Sequence, residues 1–244
     1  MNNPVDSDYT PLLRALAVGA GTSVLSAAEW GKRLRPIPEG DRFSAELRSE
    51  WLPAVPPSAA CEQIAEKVRE HLAEWHSGWP NLWAHLLRVA GYTLRLAPTV
   101  QIAPDHAYAL ALLHDIGKLD EMRDGTPHET RAESMTPALL DGAFPDAVVR
   151  QIAAAVGKNS KSGDPLVRLL HDADKLDKIG ASGIVRRVSL VVTVENAREA
   201  LYRIDDDLAR FPSMKIEEAE TMAGRKRYFT KTFLAKALST GVPH

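Results

Sequence analysis

Ala107-Tyr-Ala-Leu-Ala-Leu-Leu-His-Asp-Ile-Gly-Lys118 sets the architecture of the chain. Its first seven residues are apolar on every side of a helical wheel, the pattern of a central helix surrounded by others rather than one lying on a surface. The helix opens at Pro104-Asp105, where proline suits the first helical position, and is expected to stop at Gly117. Directly behind the apolar run stands His114-Asp115. Burying an imidazole and a carboxylate without partners costs several kcal/mol, so the pair requires a hydrogen-bond network, an ion pair or a metal ion. A satisfied structural His-Asp pair is the plainer alternative.

Helical spacing extends outward on both sides. Ser58 can cap a helix whose apolar residues Cys61, Ile64, Val68, Leu72 and Trp75 recur at steps of three and four. A second stripe runs through Leu82, Leu86, Val89 and Leu96. Beyond the central helix, segments 129–140, 146–156 and 164–178 read as helices, the last with Asp164 as cap and Pro165 as first residue. Val188-Ser-Leu-Val-Val-Thr-Val194 has the β-branched content of a strand, but no second strand exists to pair with it, so 184–194 is assigned to a helix. A final helix covers about 214–238. The expected fold is all-α: one helical domain over residues 58–244, preceded by an extension, residues 1–57, that ends in Trp51-Leu-Pro-Ala-Val-Pro-Pro57.

Composition narrows the function classes. The chain has 244 residues, 45% hydrophobic and 25% charged, which suits one globular domain with an extension. Thirty Lys and Arg oppose 32 Asp and Glu, a net charge of −2, so no global field draws in nucleic acid or anionic lipid. A single cysteine, Cys61, rules out a disulfide framework and a Cys-rich zinc site, and suits the reducing cytoplasm. Leu16-Ala-Val-Gly-Ala-Gly-Thr-Ser-Val-Leu25 is too weakly flanked by basic residues for a signal peptide, and no apolar run is long enough to span a membrane.

Two further segments bear on His114-Asp115. His85 lies on the apolar side of its helix between Leu82, Leu86 and Val89, and so points inward. His171-Asp-Ala-Asp-Lys-Leu-Asp177 places acidic residues beside the stripe Leu166, Leu169, Leu170, Ala173 and Leu176. Each segment has an ordinary reading, a core histidine and a solvated acidic face. Together with His114-Asp115 they complete a set of two imidazoles and two carboxylates.

The order of these pieces resembles the HD-domain metal-dependent phosphohydrolase superfamily: a His, a His-Asp doublet about thirty residues on, and a later Asp in an Ala-Asp-Lys-Leu context. His85-Leu-Leu-Arg-Val89, Leu113-His-Asp-Ile-Gly-Lys118 and Asp172-Ala-Asp-Lys-Leu-Asp-Lys-Ile-Gly-Ala181 look like three of its blocks, over about residues 60–185. The resemblance implies one divalent metal held by His85, His114, Asp115 and Asp174. Asp172 competes for the last place, but the two differ by some 200° around a helix, and Asp174 occupies the Ala-Asp slot. Such a mixed shell suits Mn, Fe, Co, Ni or Zn better than Ca. It also implies hydrolysis of a phosphate ester or anhydride by a metal-activated water, the substrate being a small molecule, most plausibly a nucleotide.

Asp115, Lys118 and His128 are the candidate catalytic residues: Lys118 to meet phosphoryl charge, and His128 to bind a second metal or donate to phosphate. Arg88 is read as a helix-surface arginine. Where two-metal members carry further histidines, this chain has Ala155-Val-Gly-Lys-Asn159, which argues against a full second site; the Gly-Tyr-Pro signature of cyclic-dinucleotide phosphodiesterases is also absent. Small bacterial members linked to nucleotide pyrophosphate cleavage look most similar. The rival reading is a noncatalytic helical module that binds metal or nucleotide for regulation.

Other motifs fail. Gly157-Lys158-Asn-Ser160 lacks the earlier glycine of a phosphate loop, because Ile152 occupies its place. Trp75, Trp79, Trp83 and Tyr92 are read as core before stacking platform, and Arg225, Lys226, Arg227, Lys231 and Lys236 as a solvated helix face. Specific nucleic-acid binding finds little support, and whether residues 1–57 cover the site, mediate dimerisation or do neither is left open.

Overall fold

The computed structural model describes residues 54–74, 79–159, 163–188, 194–211 and 213–239. Of the 1–57 extension only 54–57 are among them, so the rejected signal-like stretch and the role of the extension lie outside the described residues, as does the Trp75 ring. All regular structure among the described residues is helical. In chain order it comprises α1 (Ala59–Ala73), α2 (Trp79–Leu96), a 3-10 turn (Ala97–Val100), α3 (Pro104–Leu113), α4 (Lys118–Asp124), α5 (His128–Leu139), α6 (Asp146–Val156), α7 (Pro165–Lys178), α8 (Gly180–Val188), α9 (Val194–Arg210) and α10 (Glu217–Ser239). None of these helices is long and apolar enough to cross a membrane.

Local chemistry accounts for several boundaries. The Ser58 hydroxyl accepts from the Cys61 amide at the start of α1, and the Asp164 carboxylate accepts from the Leu166 amide before Pro165, leaving fewer orphaned donors at each N-terminus. All seven residues Ala107–Leu113 are buried, as expected of a helix apolar all round. Around α3 pack α1, α2 and α6, while α7 lies against α2. The core this forms takes in Cys61, Ile64, Val68, Leu72, Leu86, Val89, Leu110, Leu112, Leu113, Ile152, Leu169 and Leu176. A smaller cluster of Ile184, Ile204 and Leu234 joins α8, α9 and α10.

Two expectations change, at the end of the central helix and at Lys226, and the helix assigned to 184–194 holds where it is described. The central helix ends at Leu113 rather than Gly117, and His114–Gly117 form a tight turn closed by the Ile116 amide on the Leu113 carbonyl and the Lys118 amide on the Asp115 carbonyl. The segment read as 184–194 is helical over Gly180–Val188, its β-branched run 189–193 lying outside the described residues. Lys226 is not on a solvated face: it is buried, with its ammonium 5.1 Å from the centre of the Tyr92 ring, a cation–π contact that offsets part of its desolvation. Arg227 is also largely covered, pairing with Glu220. Tyr92 and Cys61 are buried, and Trp83 packs against the core.

Candidate metal centre

Four segments meet at one end of α3. His85 comes from the middle of α2, His114 and Asp115 from the turn after α3, Asp174 from α7 and His128 from the start of α5. Because α3 stops where it does, the His-Asp turn carries both side chains into the gap between α2 and α7.

Hydrogen bonding fixes both buried imidazoles in the same sense. His114 Nδ1 lies 2.7 Å from the Ala111 carbonyl, which can only accept, so Nδ1 carries the hydrogen. His85 Nδ1 lies 2.7 Å from Asp177 Oδ2 and donates there. In both rings this leaves Nε2 with its lone pair aimed inward. Those two atoms, together with Asp174 Oδ1, are buried and have no hydrogen-bond partner. Leaving three such atoms unsatisfied would cost about 1–3 kcal/mol each, so their convergence points to a ligand that takes all three.

That ligand is cation-sized. One donor atom from each of His85, His114 and Asp174 lies within 4.8 Å of the others, and His85 Nε2 is 3.6 Å from Asp174 Oδ1. Asp115 Oδ2 borders the same space, 3.6 Å from His85 Nε2 and 3.7 Å from His114 Nε2. Ligands about 2.1 Å from a tetrahedral ion stand about 3.4 Å apart, so the spacing fits a divalent metal of the nitrogen- and oxygen-binding kind. Asp172, the competitor of Asp174, faces elsewhere. Its Oδ2 accepts from the Lys215 and Ile216 amides at 2.8 and 2.7 Å, and its Oδ1 lies 2.8 Å from His171 Nδ1.

The charged groups are balanced around this centre. Burial opposes ionisation of Asp115, but the adjacent His114, His128, His85 and Lys118 outweigh it and hold the carboxyl well below its usual range. Asp174 behaves likewise, with Lys178 Nζ 2.7 Å from Oδ2. Burial pushes the pKa of His114 down and favours its neutral form; for His85 burial is overcome by Asp115 and Asp177, and its pKa rises. Lys118 donates to Asp115 Oδ2 at 2.9 Å while remaining partly exposed at the rim. His128 Nε2 lies 3.3 Å from Asp115 Oδ1, and its Nδ1 lies 2.9 Å from Glu121. Contact with Asp115 raises its pKa. Lys158 pairs with Glu129 beside His128.

Sequence reasoning missed Asp177 and misjudged Arg88. Asp177 is fully buried, and Arg88 donates to it through Nε at 2.6 Å and Nη2 at 3.1 Å, so this arginine is part of the centre's surroundings rather than a surface residue. The available signal was the three-residue step from Asp174 to Asp177, which keeps both on one helix face.

Residues 82–179, which include His85, His114, Asp115, His128, Asp174 and Asp177, match the family model described as the HD domain. HD domains bind divalent metals and serve metal-dependent phosphohydrolases. Among solved structures, a predicted HD superfamily hydrolase from an uncultured Thermotogales bacterium is similar with a TM-score of 0.56 and 24% identity, over 73% of this chain and 91% of that one. Bacillus subtilis YpgQ, solved in complex with ADP, is similar with a TM-score of 0.57 and 18% identity, over 75% of this chain and 95% of that one. At these identities the likeness speaks for the fold. No curated protein matches the chain.

Proposed function

We propose that this protein hydrolyses a phosphate ester or anhydride of a small substrate, a nucleotide by preference, at a single divalent metal held by His85, His114, Asp115 and Asp174. The observation that carries the reading is the convergence of His85 Nε2, His114 Nε2 and Asp174 Oδ1, all buried and all without a hydrogen-bond partner. A transition metal in such a shell supplies Lewis acidity toward water and a phosphoryl oxygen. The protein's own groups do the rest. Lys118, tethered to Asp115 at the rim, meets developing negative charge on the phosphoryl oxygens. His128, held between Asp115 and Glu121, donates a hydrogen bond to the phosphate or its leaving oxygen. Asp115 links the three, with one oxygen beside the imidazoles and the other toward His128.

The nucleotide preference draws support from YpgQ, a structure of the same fold solved with ADP. A cytoplasmic setting agrees with one cysteine that is free and buried. The test is metal analysis followed by phosphate and pyrophosphate release from nucleoside mono-, di- and triphosphates with Mn, Fe, Co, Ni and Zn. Turnover that His114→Ala abolishes together with metal content supports the proposal. Metal binding without turnover of any nucleotide supports the regulatory module instead.

A further inference from the structure

Helix α7 addresses one imidazole from both sides. Asp174 Oδ1 lies 3.6 Å from His85 Nε2, and Asp177 Oδ2 lies 2.7 Å from His85 Nδ1. Asp177 follows Asp174 by three positions, so both face α2, and the His85 ring is held between them. Asp177 in turn is fixed from outside α7. Arg88, one turn after His85 on α2, grips both of its oxygens, and Arg186 Nη1 from α8 lies 3.8 Å from Oδ2 and 3.4 Å from His85 Nδ1.

From this arrangement we infer that Asp177 is a positioning residue for the metal centre, with Arg88 as its anchor: the pair fixes the tautomer and ring direction of His85 so that Nε2 presents its lone pair to the ion. The inference rests on the metal-centre reading above. Its physical basis is general. A ligating histidine whose other nitrogen donates to a carboxylate is held in one tautomer and made more basic, and loss of such a partner costs about 10–100-fold in metal affinity. Asp177 is fully buried, and both of its oxygens are taken up by the His85 N–H and the Arg88 guanidinium. A purely structural Arg88–Asp177 pair between α2 and α7 would not need the imidazole in the same bond set.

The test compares Co2+ affinity, by chelator competition, and the visible Co2+ spectrum of the full chain in wild type, Asp177→Asn, Arg88→Met and Asp172→Asn. Asp172 is an equally buried aspartate on α7 whose carboxylate caps the Lys215 and Ile216 amides, so it reports a loss of structure alone. The expected result is a ~10–100-fold weaker Co2+ affinity with a shifted spectrum in Asp177→Asn and Arg88→Met. Asp172→Asn should lower the melting temperature and leave affinity unchanged. Wild-type affinity in both Asp177→Asn and Arg88→Met, or an equal loss in Asp172→Asn, overturns the inference. Should Asp177→Asn not fold, Arg88→Met decides alone, because Arg88 sits at the edge of the centre and touches no ligand of the ion except through the carboxylate. If wild type itself binds no Co2+, or His114→Ala binds it as well, the metal-centre reading fails rather than this inference.

Discussion

Gly117 closes the His-Asp turn where it presses on the start of α5. A Cβ built there would stand 2.8 Å from the His128 carbonyl oxygen and 2.6 Å from the Arg131 Cβ. Restoring an ordinary contact of about 3.4 Å to that backbone oxygen requires roughly 0.6 Å of displacement between the turn and α5. His128 rides on α5 and Asp115 on the turn, and their contact of 3.3 Å would open to about 3.9 Å, beyond hydrogen-bond range. Gly117→Ala should therefore cost about 1–3 kcal/mol of stability through overpacking. It should also lower kcat by ~10-fold, given that misplacement by about 1 Å can cost 10²-fold. The ion itself should still bind, because His85 and Asp174 belong to α2 and α7, away from the displaced helix. The assays are thermal denaturation, Co2+ content, and steady-state hydrolysis of whichever nucleotide wild type cleaves fastest. An unchanged melting temperature and kcat would refute this account of the turn, and lost metal would refute the separation of the two halves of the site.

The opposite outcome is expected at Gly91 in α2, where an added Cβ meets nothing within 4 Å; Gly91→Ala should stabilise the protein by about 0.5–1 kcal/mol in chemical denaturation. Removing metal with a chelator should lower stability by about 2.7 kcal/mol relative to protein held at a hundredfold excess over Kd, read as a melting shift that His114→Ala abolishes. At alkaline pH, the buried Tyr108 phenol, pushed up to about 12 by burial, is kept neutral in the fold while the unfolded chain ionises near 10. Its contribution is complete below pH 10 and fades as pH rises toward 12, about 2 kcal/mol by then. Tyr108→Phe, compared with wild type across that window, should lose less stability; parallel curves would count against the burial argument.

Much of the fold was readable because the signals were local and periodic. The α1 stripe from Cys61 to Leu72, the Ser58 cap, the Asp164-Pro165 start and the uniformly apolar Ala107–Leu113 depend on neighbours within a turn or two. What escaped depended on distant partners. Asp172, Asp174 and Asp177 look alike in sequence, and only the packing of α2 and α10 against α7 separates a carboxylate bonded to backbone amides, an oxygen turned toward His85 Nε2 and a partner of His85 Nδ1. Lys226 reads as solvated until Tyr92, over 130 residues earlier, covers it. The seven-residue α4 is too short to show a stripe of its own. The convergence of His85, His114 and Asp174 was expected from a resemblance in their order; periodicity gave only their inward direction.

Three carboxylates two and three residues apart on α7 serve three different clients, at angles set by the helix itself. Since each residue turns the helix by about 100°, one insertion or deletion between Asp172 and Asp177 would swing at least one of them away from its client. The clasp on the C-terminal helix, the ion or the imidazole would be forfeited. Within α7, the spacing of the three aspartates is therefore as constrained as their identity.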